Sequence, residues 1–133
     1  MDKTLKRFLS SENFVSLLLI IFLAALAYLP QVLQLGFYRD DWHVVWGGFT
    51  QGPLKIIDLH LTDRPFMGLT YALAYGILGD SPLGWHLYAF VLRVGGAISF
   101  YGILKLLWPE QRRAATLLAL LFVTYPGFLQ QPN

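Results

Sequence analysis

Residues 14–38 form a run of 25 without a formal charge. A helix needs about 20 mostly apolar residues to cross the hydrocarbon core of a bilayer, so this run is long enough to cross with some tilt. Pro30 falls in its last third and is expected to kink it. A signal peptide is the competing reading, with Lys3, Lys6 and Arg7 as its basic start and Ala25-Leu26-Ala27 as a small-residue cleavage site. The apolar run continues past Ala27 through Leu35, which favours a retained span.

Composition points the same way. Hydrophobic residues make up 56% of the 133 and charged residues 14%, against roughly 25% charged in an average soluble domain. Disorder requires the opposite bias. Aromatic residues reach 16%, in keeping with many side chains at bilayer interfaces. With no cysteine, disulfides, thiol nucleophiles and Cys-type zinc sites are excluded. A net charge of +2 is too small to suggest nucleic acid as a partner.

The expected fold class is an all-α membrane protein with three transmembrane helices and an outer juxtamembrane helix. Its segments are a cytoplasmic tail (1–13), a first span (14–38), an outer loop (39–84), a second span (85–107), a cytoplasmic turn (108–113) and a third span (114–133). The second span is interrupted by Arg93, and the third is cut by Pro126. Six basic residues flank the spans in the tail and in 105–113, whereas 39–64 holds only Arg39, Lys55 and Arg64. By the positive-inside rule the N-terminus and the basic turn face the cytoplasm, and the 39–64 loop faces outward.

Residues 65–79 are ambiguous, covering about 22 Å as a helix against a core of about 30 Å, and read best as an outer juxtamembrane helix. Tyr71 and Tyr75, four apart, suit a helix at headgroup level. Were this segment to span, the basic turn would move outside, against the charge rule. Turns are expected at Gly47-Gly48, Gln51-Gly52-Pro53 and Asp80-Ser81-Pro82. Glycines 95, 96 and 102 read as close helix packing.

The outer loop holds the unusual polarity. Arg39-Asp40-Asp41-Trp42-His43 follows the first span, and Asp58, His60, Asp63 and Arg64 come later. Adjacent carboxylates at a low-dielectric boundary can act as general base, or they are simply a solvated anchor neutralised in part by Arg39. Arg64, immediately before Pro65, can hold a phosphate bidentately or snorkel to headgroups. The loop's acids and histidines supply enough hard ligands for a divalent metal, without recognisable spacing. Arg93 within the second span calls for an acidic partner, a lipid phosphate or a snorkelling path. His86, beside Trp85, sits where interfacial rings are expected.

The order of these features resembles the N-terminal part of polytopic glycosyltransferases of the GT-C fold, which include protein O-mannosyltransferases and the aminoarabinose transferases that modify lipid A. The matching features are Tyr38-Arg39-Asp40-Asp41-Trp42 after the first span, then Asp63-Arg64-Pro65-Phe66, then Gly76-Ile77-Leu78-Gly79. Ser81-Pro82-Leu83-Gly84-Trp85-His86-Leu87 opens the next span, and Leu121-Phe122-Val123-Thr124-Tyr125-Pro126 closes the third. The resemblance implies transfer of a sugar from a polyprenyl phosphate to an acceptor on the outer face of the membrane, metal-independent or metal-assisted. It implies Asp40 and Asp41 as the catalytic acidic pair, with Arg64 and Arg39 on the donor phosphate. His86 and Arg93 fall at accessory polar positions. The expected location is a bacterial plasma membrane, with membrane lipid and the polyprenyl-linked sugar as partners. Gln130 stands where some relatives carry Glu. Such enzymes have several hundred residues, so the resemblance casts this chain as an N-terminal portion, inactive by itself. The alternative is a small three-span protein that performs no chemistry and partners other membrane helices.

Overall fold

A computed structural model describes residues 11–37 and 40–125, with the side chains of Ser11, Glu12 and Asp40 outside the described set. Six helices and no strand occur among the described residues: α1 (Ser11–Val32), α2 (Asp40–Gln51), α3 (Leu54–His60), α4 (Pro65–Leu78), α5 (Pro82–Leu107) and α6 (Arg112–Thr124). They fall into two compact units. One comprises 1–32 and 88–133, the other 33–87.

In the first unit, each of three helices buries one stripe. Ser16, Ile20 and Ala24 are buried on α1, Ala97, Tyr101 and Leu104 on α5, and Ala115, Ala119 and Val123 on α6. Spacings of three and four keep each set on one helical face. Small residues dominate the meeting stripes, and they let helix backbones approach closely. Two of the glycines expected to serve this purpose do not. A Cβ on Gly95 would meet nothing within 4 Å, and one on Gly96 would reach only Phe122, at 3.8 Å. The alanines carry the close packing instead.

Polar contacts set the directions of the three helices. The buried Tyr101 hydroxyl donates to Asn13 Oδ1 at 2.9 Å, and the Thr116 hydroxyl donates to Ser16 Oγ at 2.9 Å. At the other end the Tyr28 hydroxyl donates to the Val123 carbonyl at 2.8 Å. Positions 13 to 28 of α1 therefore run alongside 116 to 123 of α6 and against 101 to 93 of α5. Within this unit α5 runs opposite to α1 and α6, which puts the 105–113 turn at the Asn13 end. That turn is closed by the Lys105 ammonium on the Pro109 carbonyl and by Gln111 N–H on the Trp108 carbonyl.

Two helices, not three, are long and apolar enough to cross a membrane among the described residues: Asn13–Val32 and Pro82–Leu107. The third expected span is represented by α6, whose 13 residues rise about 20 Å, short of the ~30 Å core. Residues 126–133, which would have completed it, lie outside the described residues. The helix ends at Thr124 because Tyr125 precedes Pro126 and is extended, with φ −61° and ψ 124°, as the proline ring requires of its neighbour. Only 22% and 17% of the apolar windows of the two long helices are buried. The core helix of a water-soluble domain would hide most of such a window, whereas Phe22, Leu26, Val91 and Leu92 are exposed.

The second unit is built on α2, α3 and α4. Gly47 and Gly48, read from sequence as a turn, lie inside α2. Their smallness serves packing: a Cβ on Gly48 would come within 2.7 Å of the Tyr75 ring, and one on Gly47 within 3.0 Å of Leu59. On α4, a Cβ at Gly68 would fall 2.9 Å from His60 Cβ and 3.2 Å from the Ile57 backbone. The other two expected turns hold. Gly52 takes φ +86° between α2 and α3, and Gly79 takes φ +59° as it ends α4 with its N–H on the Tyr75 carbonyl at 2.8 Å. Both values are in the region glycine occupies without steric cost. Pro65 and Pro82 each stand first in their helices, where a missing N–H costs nothing.

Candidate functional site

The sequence-predicted acids open α2. Asp40 is its first residue and Asp41 its second, and Asp41 is exposed. Carboxylates in the first turn interact favourably with the partial positive charge of a helix N-terminus, so α2 gives both residues a structural reason to be there as well as a chemical one. Arg39 lies outside the described residues, as does the side chain of Asp40.

Arg64 is the N-cap of α4, at φ −143° and ψ 63° before Pro65. Its side chain is 65% exposed, with Nε 3.5 Å from an Asp63 carboxylate oxygen and Nη1 directed at the Met67 sulfur at 3.9 Å. A guanidinium so exposed keeps donors for a phosphate, and an exposed neighbour such as Asp63 holds it only weakly. A second exposed pair links Lys55 and Asp58 at 3.9 Å.

The histidines are engaged in structure. His86 Nε2–H donates to the Gly36 carbonyl at 3.2 Å, tying the segment after α1 to the first turns of α5. His60 Nδ1–H donates to the Ile56 carbonyl at 2.9 Å. Its ring meets Tyr71 edge-on at 5.6 Å, and Tyr71 meets Trp85 in the same way at 5.6 Å. The Trp85 indole N–H in turn donates to the Gly79 carbonyl at 2.9 Å. Tyr71 and Tyr75 do share a face of α4, as their spacing predicts, but that face is turned to His60, Trp85 and Gly48. The exposed face carries Phe66, Leu69, Leu73 and Ile77.

Asp40, Asp41, Arg64 and His86 thus belong to one unit, and Arg93 to the other. Among the described residues no three His, Asp or Glu side chains are grouped to hold a metal ion.

Arg93 has a definite task. Its Nε donates to the Val123 carbonyl at 2.9 Å, its Nη2 to the Tyr125 carbonyl at 2.6 Å, and its guanidinium lies 4.9 Å from the centre of the Tyr28 ring. The last turn of a helix leaves four carbonyls without helical partners and carries partial negative charge. Thr124 Oγ1 bonds the Leu120 carbonyl at 2.8 Å, so side chains from three helices satisfy the end of α6. In hydrocarbon each unsatisfied carbonyl would cost several kcal/mol. Sequence reasoning flagged Arg93 but did not name these carbonyls, since backbone carbonyls ending another helix leave no mark in a charge pattern. It missed Asn13, Ser16, Tyr28, Tyr101 and Thr116 as well. Their signal was present: each is a polar group in or beside an apolar run, and such groups need partners in lipid.

No protein-family model, curated protein or solved structure matches the chain.

Proposed function

We propose that the chain is the base- and phosphate-bearing part of an integral membrane glycosyltransferase that uses a polyprenyl-phosphate-linked sugar. In this reading α1 and α5 cross the bilayer, α6 belongs to a third crossing segment, and residues 33–87 face outward. One observation carries it. The helix that follows the first apolar helix opens on Asp40 and Asp41, and Arg64 heads the next apolar helix with its guanidinium exposed. A carboxylate at that place takes the proton of an acceptor hydroxyl or amine as it attacks the anomeric carbon. A guanidinium stabilises the charge that develops on the departing phosphate. Arg39, next in sequence to the acids, is the second candidate for that charge. The sugar donor and the lipid around it are the partners, and a divalent metal is not required by the proposal.

The test is transfer of labelled sugar from a polyprenyl-phosphate donor in membranes containing the full-length protein. Asp40→Asn or Asp41→Asn should lower transfer by about a hundredfold or more, the usual contribution of a general base, with membrane incorporation unchanged. Arg64→Ala should cost about a hundredfold through lost charge stabilisation. Unaltered transfer in all three variants would sink the proposal.

A second reading, a non-catalytic partner for other membrane helices, draws on a different observation. The polar groups of the first unit, Asn13, Ser16, Tyr28, Arg93, Tyr101 and Thr116, are engaged in holding helices together. On that reading, transfer activity would be absent from the wild-type membranes too.

A further inference from the structure

A groove of about 510 Å³ runs between α1 and α6. Its walls are the aliphatic side chains of Val15 and Leu19 on one side and Leu117 and Leu120 on the other. At its floor Thr116 Oγ1 lies 2.9 Å from Ser16 Oγ and 2.9 Å from the Arg112 carbonyl, its single proton serving one of the two at a time. At one end, the first turn of α6, stand Arg112 and Arg113, and Arg113 is exposed. From Arg113 to Leu120 the groove follows about 10 Å of helix.

We infer that this groove binds an anionic phospholipid, with an acyl chain along the aliphatic walls and the headgroup phosphate on Arg113, next to Arg112. The inference rests on the membrane part of the function proposed above and not on its chemistry. Charge complementarity names the occupant, since the groove is apolar along its length and carries the exposed cation of Arg113 at one end, and a phospholipid is apolar along its tails and anionic at its head. The first turn of a helix adds its own attraction for a phosphate. A further protein helix fits less well. Helix pairs in membranes meet through small residues, and the small residues here, Ala24, Ala115 and Ala119, are already buried in the core of the unit. The groove presents Val and Leu.

The experiment uses the purified protein in an uncharged detergent and measures binding of phosphatidylglycerol and phosphatidylcholine of identical chains by native mass spectrometry. The proposal expects phosphatidylglycerol to bind more tightly. Arg113→Gln should reduce that preference about fivefold, the size expected of one arginine against an anionic lipid headgroup, with phosphatidylcholine binding little changed. Leu117→Trp, at an exposed position that a larger ring can fill toward the groove, should weaken both lipids. Helical circular dichroism checks that each variant is folded. Equal binding of the two lipids, a preference that survives Arg113→Gln, or full competition by glycerol phosphate would each overturn the proposal. A protein that needs detergent yet binds both lipids equally overturns the groove alone. A protein recovered from the aqueous phase without detergent overturns the membrane reading, and the groove with it.

Discussion

Arg93 shows how one side chain can join three helices. Its two donors reach the Val123 and Tyr125 carbonyls, and the Tyr28 ring covers its guanidinium. Hydrogen bonds to charged groups contribute about 1.5–3 kcal/mol each, net of exchange with water. Arg93→Leu should therefore lower stability in detergent by about 2 kcal/mol or more, read as a fall in the thermal unfolding midpoint. Arg93→Lys, which keeps the charge but loses the fork that spans two carbonyls, should recover only part. Tyr28→Phe removes one donor from the same Val123 carbonyl and should cost about 1 kcal/mol. The double variant should depart from additivity, because both residues share that acceptor. Additive losses would mean that the two contacts are independent. At the opposite end, Asn13→Leu removes the Oδ1 that accepts from the buried Tyr101 hydroxyl, a loss of about 1–3 kcal/mol. Asn13→Leu combined with Tyr101→Phe should restore most of it.

At the level of helices, close approach is decided by three small-residue positions. A Cβ at Gly68 would meet the Ile57 backbone at 3.2 Å, and a backbone cannot swing aside, so Gly68→Ala should cost about 1–3 kcal/mol by overpacking. Gly48 faces the ring of Tyr75, a side chain that can shift, and Gly48→Ala should cost less. Thermal unfolding of the two variants side by side checks the order, and the reverse order would contradict the packing described for α3 and α4. Ala119→Leu, in the fully buried stripe of α6, should be as severe as the Gly68 change. The first long helix was plain in the sequence because lack of charge over 25 residues is a signal that needs no tertiary context. So was the start of α4, announced by Arg64-Pro65. Helices α2 and α3 were not read, although Trp42, Val45, Trp46 and Phe49 recur at helical spacing, because Gly47-Gly48 resembles a turn when Tyr75 is not known to lie against it. The candidate acids were legible as a pair after the first span. That Asp41 sits in the first turn of a helix was not, since it depends on α2 existing.

For the molecule as a whole, the arrangement within the first unit gathers basic residues at one end. Asn13 pairs with Tyr101 and Ser16 with Thr116, so Lys105, Arg112 and Arg113 gather at the end where α1 begins. In the proposed membrane arrangement, such a concentration of basic residues would place that end in the cytoplasm. The two long helices expose most of their apolar windows, which lipid would cover. The central claim is that these helices cross a bilayer and that residues 33–87 emerge on the outer side. The absence of native cysteine makes the test clean, because a single introduced thiol reports alone. Asp80→Cys and Gln111→Cys, both at exposed positions, would be treated in intact cells with a membrane-impermeant maleimide, before and after permeabilisation. The account predicts that the thiol at 80 is labelled from outside and that the thiol at 111 is labelled only once the membrane is opened. Labelling of both from the same side would contradict it.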